Sequence, residues 1–123
     1  MSSLTHTIDA YLTAWKNKDI DAIAACMHPD VHFKGPMVEF DGIGPFLASG
    51  RRILPMLVDF RVRAVFESGD TAMIAYDFLC SAPIGNCRTA ELVTLEDGLI
   101  RDVELFYDAR PFELLTRPAS GGN

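Results

Sequence analysis

Residues 69–108 read GDTAMIAYDFLCSAPIGNCRTAELVTLEDGLIRDVELFYD, and this stretch decides the fold. Thr71 to Ala82, Asn86 to Leu95 and Leu99 to Asp108 are short alternating runs rich in β-branched and aromatic residues, with turn residues between them. They predict one antiparallel meander. Glu96-Asp97-Gly98 can be cut as a two-residue or a three-residue hairpin loop, and the choice decides which side chains share a face. Three residues, with Gly98 in the left-handed position, set Leu95 opposite Leu99, Val93 opposite Arg101, Glu91 opposite Val103, Thr89 opposite Leu105 and Cys87 opposite Tyr107. That register gathers most apolar residues of both strands on one side and catches Glu91 among them. In the preceding strand the row Met73, Ala75, Asp77, Leu79 holds a second carboxylate, Asp77. Two acids on apolar rows predict a lined internal cavity.

Working outward, Leu4, Ile8, Tyr11, Leu12 and Trp15 fall at helical spacing and turn Tyr11 and Trp15 inward. Asp19 caps a second helix, Ile20 to Met27, which Pro29 stops. A brief strand, Val31 to Phe33, is broken by Gly35-Pro36, and Asp41 caps a third helix from Gly42 to about Leu54. Val58, Phe60, Val62, Ala64 and Phe66 alternate with polar residues, so Leu57 to Phe66 reads as a strand buried on one face. Pro111 to Leu115 can close the domain with one helical turn, which makes 1–115 a single domain and 116–123 a flexible tail. Helices followed by a long antiparallel sheet define an α+β class. The expected architecture is a cone: a strongly curved, mostly antiparallel sheet wrapped around three helices. The row Ile74, Tyr76, Phe78, Cys80 then falls on the outer face, too apolar to leave in water, and predicts a two-fold homodimer through that face.

Composition narrows the partners. At 123 residues the chain needs no metal or disulfide staple to bury a core. A formal charge of −6, with a pI near 4.9, argues against nucleic-acid backbones and anionic membrane surfaces, which want clustered Lys and Arg. No run approaches the roughly 18 apolar residues of a membrane-spanning helix, and no signal-peptide pattern opens the chain. Cys26, Cys80 and Cys87 show no metal-ligand spacing and read as free thiols of a cytoplasmic protein, although Cys80 and Cys87 could pair across their loop. His28 and His32 read as capping or surface residues, and the three histidines form no metal constellation.

The order of elements resembles a known family. Tyr11-Leu12-x-x-Trp15-x-x-x-Asp19-x-x-Ala22, His28-Pro29-Asp30-Val31-x-Phe33, and Glu96-Asp97-Gly98-Leu99-Ile100 leading to Phe106-Tyr107-Asp108-x-x-x-Phe112 are similar to the nuclear transport factor 2-like superfamily, within it the SnoaL-like group. The resemblance covers residues 4 to 115 and implies a dimeric α+β fold that hosts isomerases, epoxide hydrolases, cyclases, dehydratases and non-catalytic binders. Residue by residue, the ketosteroid isomerase base position falls on Gly35, its oxyanion tyrosine on Tyr11 and its protonated acid on Glu91. The epoxide hydrolase's first Asp falls on Asp77, but its Arg falls on Ala75, its second Asp on Leu105, its Tyr on Phe33 and its Asn on Gly35. Both reactions by the family mechanisms are therefore disfavoured.

The expected function is binding of a small, largely apolar molecule, with acid-base chemistry of an isomerase, cyclase or lyase type and no cofactor. Tyr11, Asp77 and Glu91 are the candidate catalytic residues, and Trp15, Phe33, Phe60, Val93, Val103, Leu105 and Tyr107 the candidate ligand contacts. A carboxylate among apolar neighbours has its neutral form favoured by desolvation, which is how an acid working near neutral pH is made. Each acid has a bland reading too, as the partner of a buried amide or a loop cap. Arg51-Arg52 reads as a solvated helix face that could also steer an anion toward the mouth. The alternative function is a non-catalytic binding or dimerisation module.

Overall fold

The computed structural model describes residues 3–116; the expected flexible tail lies, from residue 117 on, outside the described residues. Four helices, α1 (Ser3–Lys16), α2 (Ile20–Ala25), α3 (Ile43–Ile53) and α4 (Arg110–Thr116), accompany six strands. The strands are β1 (Met27–Lys34), β2 (Glu39–Asp41), β3 (Leu57–Ser68), β4 (Thr71–Cys80), β5 (Asn86–Glu96) and β6 (Leu99–Phe106). They form one sheet in the order β2-β1-β6-β5-β4-β3. All neighbours are antiparallel except β1 and β6, which run parallel, so the sheet is mixed.

The strongly curved cone expected from the sheet's length is not formed. The sheet is open: β2 and β3 are its two edges and do not pair with each other. Strong curvature needs bulges that line up across neighbouring strands. Here the register shifts are scattered, two where β3 meets β4, one between β1 and β6 and one between β5 and β6, while the central β4-β5 ladder has none. Each bends its own strand without rolling the sheet.

The β5-β6 hairpin also differs from the expected register. Glu96 pairs with Leu99, so the loop is two residues, Asp97 and Gly98, both at positive φ (54° and 78°) as a type I′ turn requires. Such a loop alone would set Glu91 opposite Glu104 and turn it to the other face. A bulge intervenes. Leu95 pairs with Ile100 but Thr94 with Asp102, which skips Arg101 and sets Glu91 opposite Leu105 and Val93 opposite Val103. The extra residue restores the parity that the shorter loop had changed.

In β4 the expected faces are exchanged. Ala72, Ile74, Tyr76, Phe78 and Cys80 are buried, and Ile74, Tyr76 and Phe78 stand opposite Glu91, Thr89 and Cys87 on the helix-covered face. Met73, Ala75, Asp77 and Leu79 therefore face outward. The core took the bulkier row, since burying a side chain such as Ile or Phe contributes about 1.5–3 kcal/mol and the row containing Asp77 has less to gain. The proposed outward row for a dimer is thus the interior one. In β3 the bulges at Leu57/Asp59 and Val62/Ala64 break the simple alternation: Phe60 is buried, but Val58, Val62 and Phe66 are exposed.

Elsewhere the expected elements form with shifted ends. Helix α2 stops at Ala25, and Met27 already starts β1, which runs through Pro29 where its pairing with β6 is interrupted. The N-cap of α3 is Gly42 at φ 100°, not Asp41, and β2 was not foreseen. Helices α1 to α3 lie on the inner face, where Ile8, Ile23, Val31, Ile74, Val93, Ile100 and Val103 form the fully buried core. Gly98 sits against Ser3, whose Oγ is 3.3 Å from where a Cβ would be. Replacing Gly98 with Ala forces an L-residue into the left-handed region, and denaturant melting should register a loss of about 1–2 kcal/mol; unchanged stability would show that the turn can re-form otherwise.

Candidate functional site

The inner face and the helices do not meet everywhere. Between them lies a cavity of about 470 Å³. Helix α1 contributes Tyr11 and Trp15, one turn apart on its inward stripe. Strand β4 contributes Tyr76 and Phe78, β5 contributes Cys87, Thr89 and Glu91, and β6 and the residue after it contribute Leu105 and Tyr107. Phe33 of β1, Phe46, Ser49, Gly50, Arg52 and Ile53 of α3, and Phe112 of α4 complete much of the wall. Most of this lining is apolar or aromatic, which suits a small apolar molecule.

Its polar centre is one carboxyl group. Glu91 is 3 % exposed. The Tyr11 hydroxyl donates to Glu91 Oε2 at 2.6 Å and the Tyr76 hydroxyl donates to Glu91 Oε1 at 2.8 Å, so both oxygens are satisfied. The two tyrosines reach it from opposite layers, one from α1 and one from the neighbouring strand, and Tyr76 is directly diagonal to it in the β4-β5 ladder. Burial pushes the Glu91 carboxyl above the ordinary range for a glutamate, and the two phenolic hydrogen bonds pull the other way. Burial also pushes both tyrosines well above their ordinary range, with the Glu91 charge acting in the same direction. The phenols therefore stay protonated at any ordinary pH.

Of the residues singled out from sequence, Tyr11, Glu91, Trp15, Phe33, Leu105 and Tyr107 lie on the cavity wall. Val93 and Val103 are buried in the core beside it, not on its lining. Phe60 is one layer back and supports the wall: its ring centroid is 4.7 Å from that of Tyr76 and 6.2 Å from that of Phe78. Asp77 is on the other side of the sheet, cross-strand from Arg61 and Arg88. The expectation that it shares the cavity with Glu91 is corrected, for the reason that exchanged the β4 faces. Tyr76 is the residue the sequence reading missed. Its signal was available, because Tyr76 occupies the more apolar of the two β4 rows. Position 35 is glycine, and a Cβ there would meet Phe33 at 3.4 Å and Leu105 at 3.8 Å, so space does not enforce the absence of a side chain.

Among the described residues no group of His, Cys, Asp and Glu is arranged to hold a metal ion. Cys26, Cys80 and Cys87 are free and buried, and burial raises all three thiols, which keeps Cys87 a thiol on the cavity wall. No helix among the described residues is long and apolar enough to cross a membrane.

A mixed α+β sheet with helices over one face and an apolar cavity between them is a fold of the nuclear transport factor 2-like superfamily. The SnoaL-like domain model matches residues 8–103, and the chain belongs to that family. No curated protein matches it. Solved structures agree on the fold. A protein from Kribbella flavida DSM 17836 is 28% identical, with TM-score 0.82 over 89% of each chain. A nuclear transport factor 2-like protein of unknown function from Cytophaga hutchinsonii ATCC 33406 is 20% identical, with TM-score 0.78 over 89% of this chain and 94% of that one. A candidate ketosteroid isomerase, also from Kribbella flavida DSM 17836, is 16% identical, with TM-score 0.78 over 86% of this chain and 78% of that one.

The elevated Glu91 carboxyl links stability to pH. A carboxyl whose folded pKa lies above its unfolded value of 4.5 holds its proton more tightly in the folded state. Its ionisation then costs folded stability as pH rises from about 4.5 through the folded pKa, and the cost is absent below that window. Thermal melts of wild type and Glu91→Gln from acid to neutral pH should show wild type losing ground to the variant as pH rises. A difference that grows in the opposite direction would mean that the two phenols outweigh burial. Tyr76→Phe should cost about 1–3 kcal/mol by leaving Glu91 Oε1 without its donor.

Proposed function

We propose that this SnoaL-like protein binds a small, largely apolar molecule in the cavity and uses the Glu91 carboxyl, held by Tyr11 and Tyr76, to hydrogen-bond an oxygen of that molecule. The observation that carries this reading is the pair of phenolic hydrogen bonds onto a buried carboxyl at 2.6 and 2.8 Å. Proton counting gives it content. With Glu91 ionised, both phenolic protons are committed to its oxygens and none is left for a ligand. One added proton makes three O–H groups among three partners, and one of them can turn to a ligand oxygen. A carbonyl, enol or phenol oxygen is thus held best when Glu91 is protonated, the state that burial favours.

In an isomerase, cyclase or lyase, such a donor would stabilise negative charge as it develops on the ligand oxygen, with no cofactor required. A second reading has its own support. Glu91 is the one carboxylate among the described residues of the cavity wall, and position 35 offers no base. A single carboxyl cannot both accept a carbon-bound proton and donate to the oxyanion at the same moment, which favours a binding module without turnover.

Calorimetric titration with a panel of small phenols tests both. Glu91→Gln, which keeps a donor, should bind them as wild type does, and Glu91→Ala should bind about 1–3 kcal/mol more weakly. Equal affinity for wild type and Glu91→Ala would remove the oxygen-recognition reading.

The assembly we propose is a homodimer through the outer sheet face. Phe66 is 70 %, Phe106 46 % and Met73 36 % exposed, and Ala64, Ala75, Ala90 and Leu92 lie between them across four strands. Such a patch is the kind that a second copy covers. Phe66→Glu combined with Met73→Glu should give monomers in light scattering; a dimer that survives both would put the interface elsewhere.

A further inference from the structure

The polar groups of the cavity stand in two places. Tyr11, Tyr76 and Glu91 are deeply buried, at 2 %, 5 % and 3 % exposure. Arg52, by contrast, lines the same cavity yet is exposed, so it stands at the mouth. It is the one cation on the described part of the wall. Its position follows from α3: Phe46, Ser49, Gly50 and Ile53 form the stripe that faces the cavity, and Arg52 flanks that stripe one turn after Ser49.

What sets Arg52 apart is its place. Like Arg51, Arg63 and Arg88 it has no ion pair or side-chain hydrogen bond among the described residues, so its guanidinium is open to a ligand. Of these four arginines it is the one on the cavity wall. Arg51 shares the last turn of α3, where a cation suits the helix dipole, but it does not line the cavity, and neither do Arg63 of β3 and Arg88 of β5.

We infer that Arg52 makes the cavity mouth a carboxylate subsite, and that the ligand class is a two-ended one: an apolar carboxylic acid with a hydroxyl or carbonyl oxygen at its far end. The inference rests on the proposed cavity reading and extends it to the ligand's second polar group. The far oxygen meets the Glu91 cluster, the apolar body fills the aromatic wall, and the carboxylate meets the guanidinium fork, whose planar donors match it two for two. One guanidinium balances a monoanion, which favours a carboxylate over a doubly charged phosphate. In a protein of charge −6 that one cation also gives an anion a reason to approach this end of the molecule.

The test uses matched probes of three lengths: 4-hydroxybenzoic acid, 6-hydroxy-2-naphthoic acid and 4'-hydroxybiphenyl-4-carboxylic acid, each beside the phenol that lacks the carboxylate. Calorimetry is run near neutral pH, where the phenols are neutral and the acids ionised. For at least one length, wild type should bind the acid roughly fivefold tighter than its phenol, the modest gain expected of a partly exposed charge pair. Arg52→Gln should erase that preference, Arg51→Gln should keep it, and added salt should shrink it. Arg52 is exposed, so its replacement leaves the core intact. If the phenols bind in a Glu91-dependent way but no acid is preferred, or the preference survives Arg52→Gln, the subsite is overturned and the cavity reading stands. If no probe of either kind binds, both are overturned together.

Discussion

A buried carboxyl group is tolerated only where its oxygens are satisfied, because stranding one costs more than a typical hydrogen bond contributes. Glu91 imposes that constraint on this protein. Its two donors arrive from separate layers, Tyr11 from α1 and Tyr76 from β4, so the bond pair ties the first helix to the middle of the sheet. The surrounding aromatics follow from the same need. Trp15 makes edge contacts with Tyr11 and Phe78 at centroid distances of 6.4 and 6.1 Å, and Phe60 backs Tyr76 at 4.7 Å. They fix the tyrosine rings at the angle from which both hydroxyls converge on one carboxyl.

That arrangement is also what makes the cavity chemically specific. An apolar space of about 470 Å³ would take many molecules, but a carboxyl already holding two phenolic protons accepts a ligand oxygen only by rearranging them. On the proposed reading, recognition at the buried end is tied to a proton. At the open end α3 presents a guanidinium that has no partner among the described residues. The outer face of the sheet, carrying Asp77 between Arg61 and Arg88, takes no part in this.

Periodicity determined much from sequence alone. The helical stripe of α1, the strand positions and the α+β class were legible because 3.6- and 2-residue periods report directly on which side chains can be buried together. So was the placing of Tyr11 and Glu91 in one cavity, through the family resemblance, although not the hydrogen bond between them. The hairpin is more instructive. A three-residue loop was expected, and a two-residue loop with a bulge at Arg101 is present, yet Glu91 still shares its face with Val103 and Leu105. Two departures of one residue each cancelled in parity.

Tertiary structure alone decided the rest. Both rows of β4 are apolar enough to be a core face, and only the competition for the space under α1 put Ile74, Tyr76 and Phe78 inside and Asp77 outside. The openness of the sheet depends on where bulges fall relative to one another across strands, a relation between residues far apart in the chain. The tyrosine pair on Glu91 has the same origin, since Tyr11 and Tyr76 are separated from it by 80 and 15 residues. Local periodicity says which face of an element is apolar; which elements then share a face is settled by long-range packing, and this protein's site is built from such contacts.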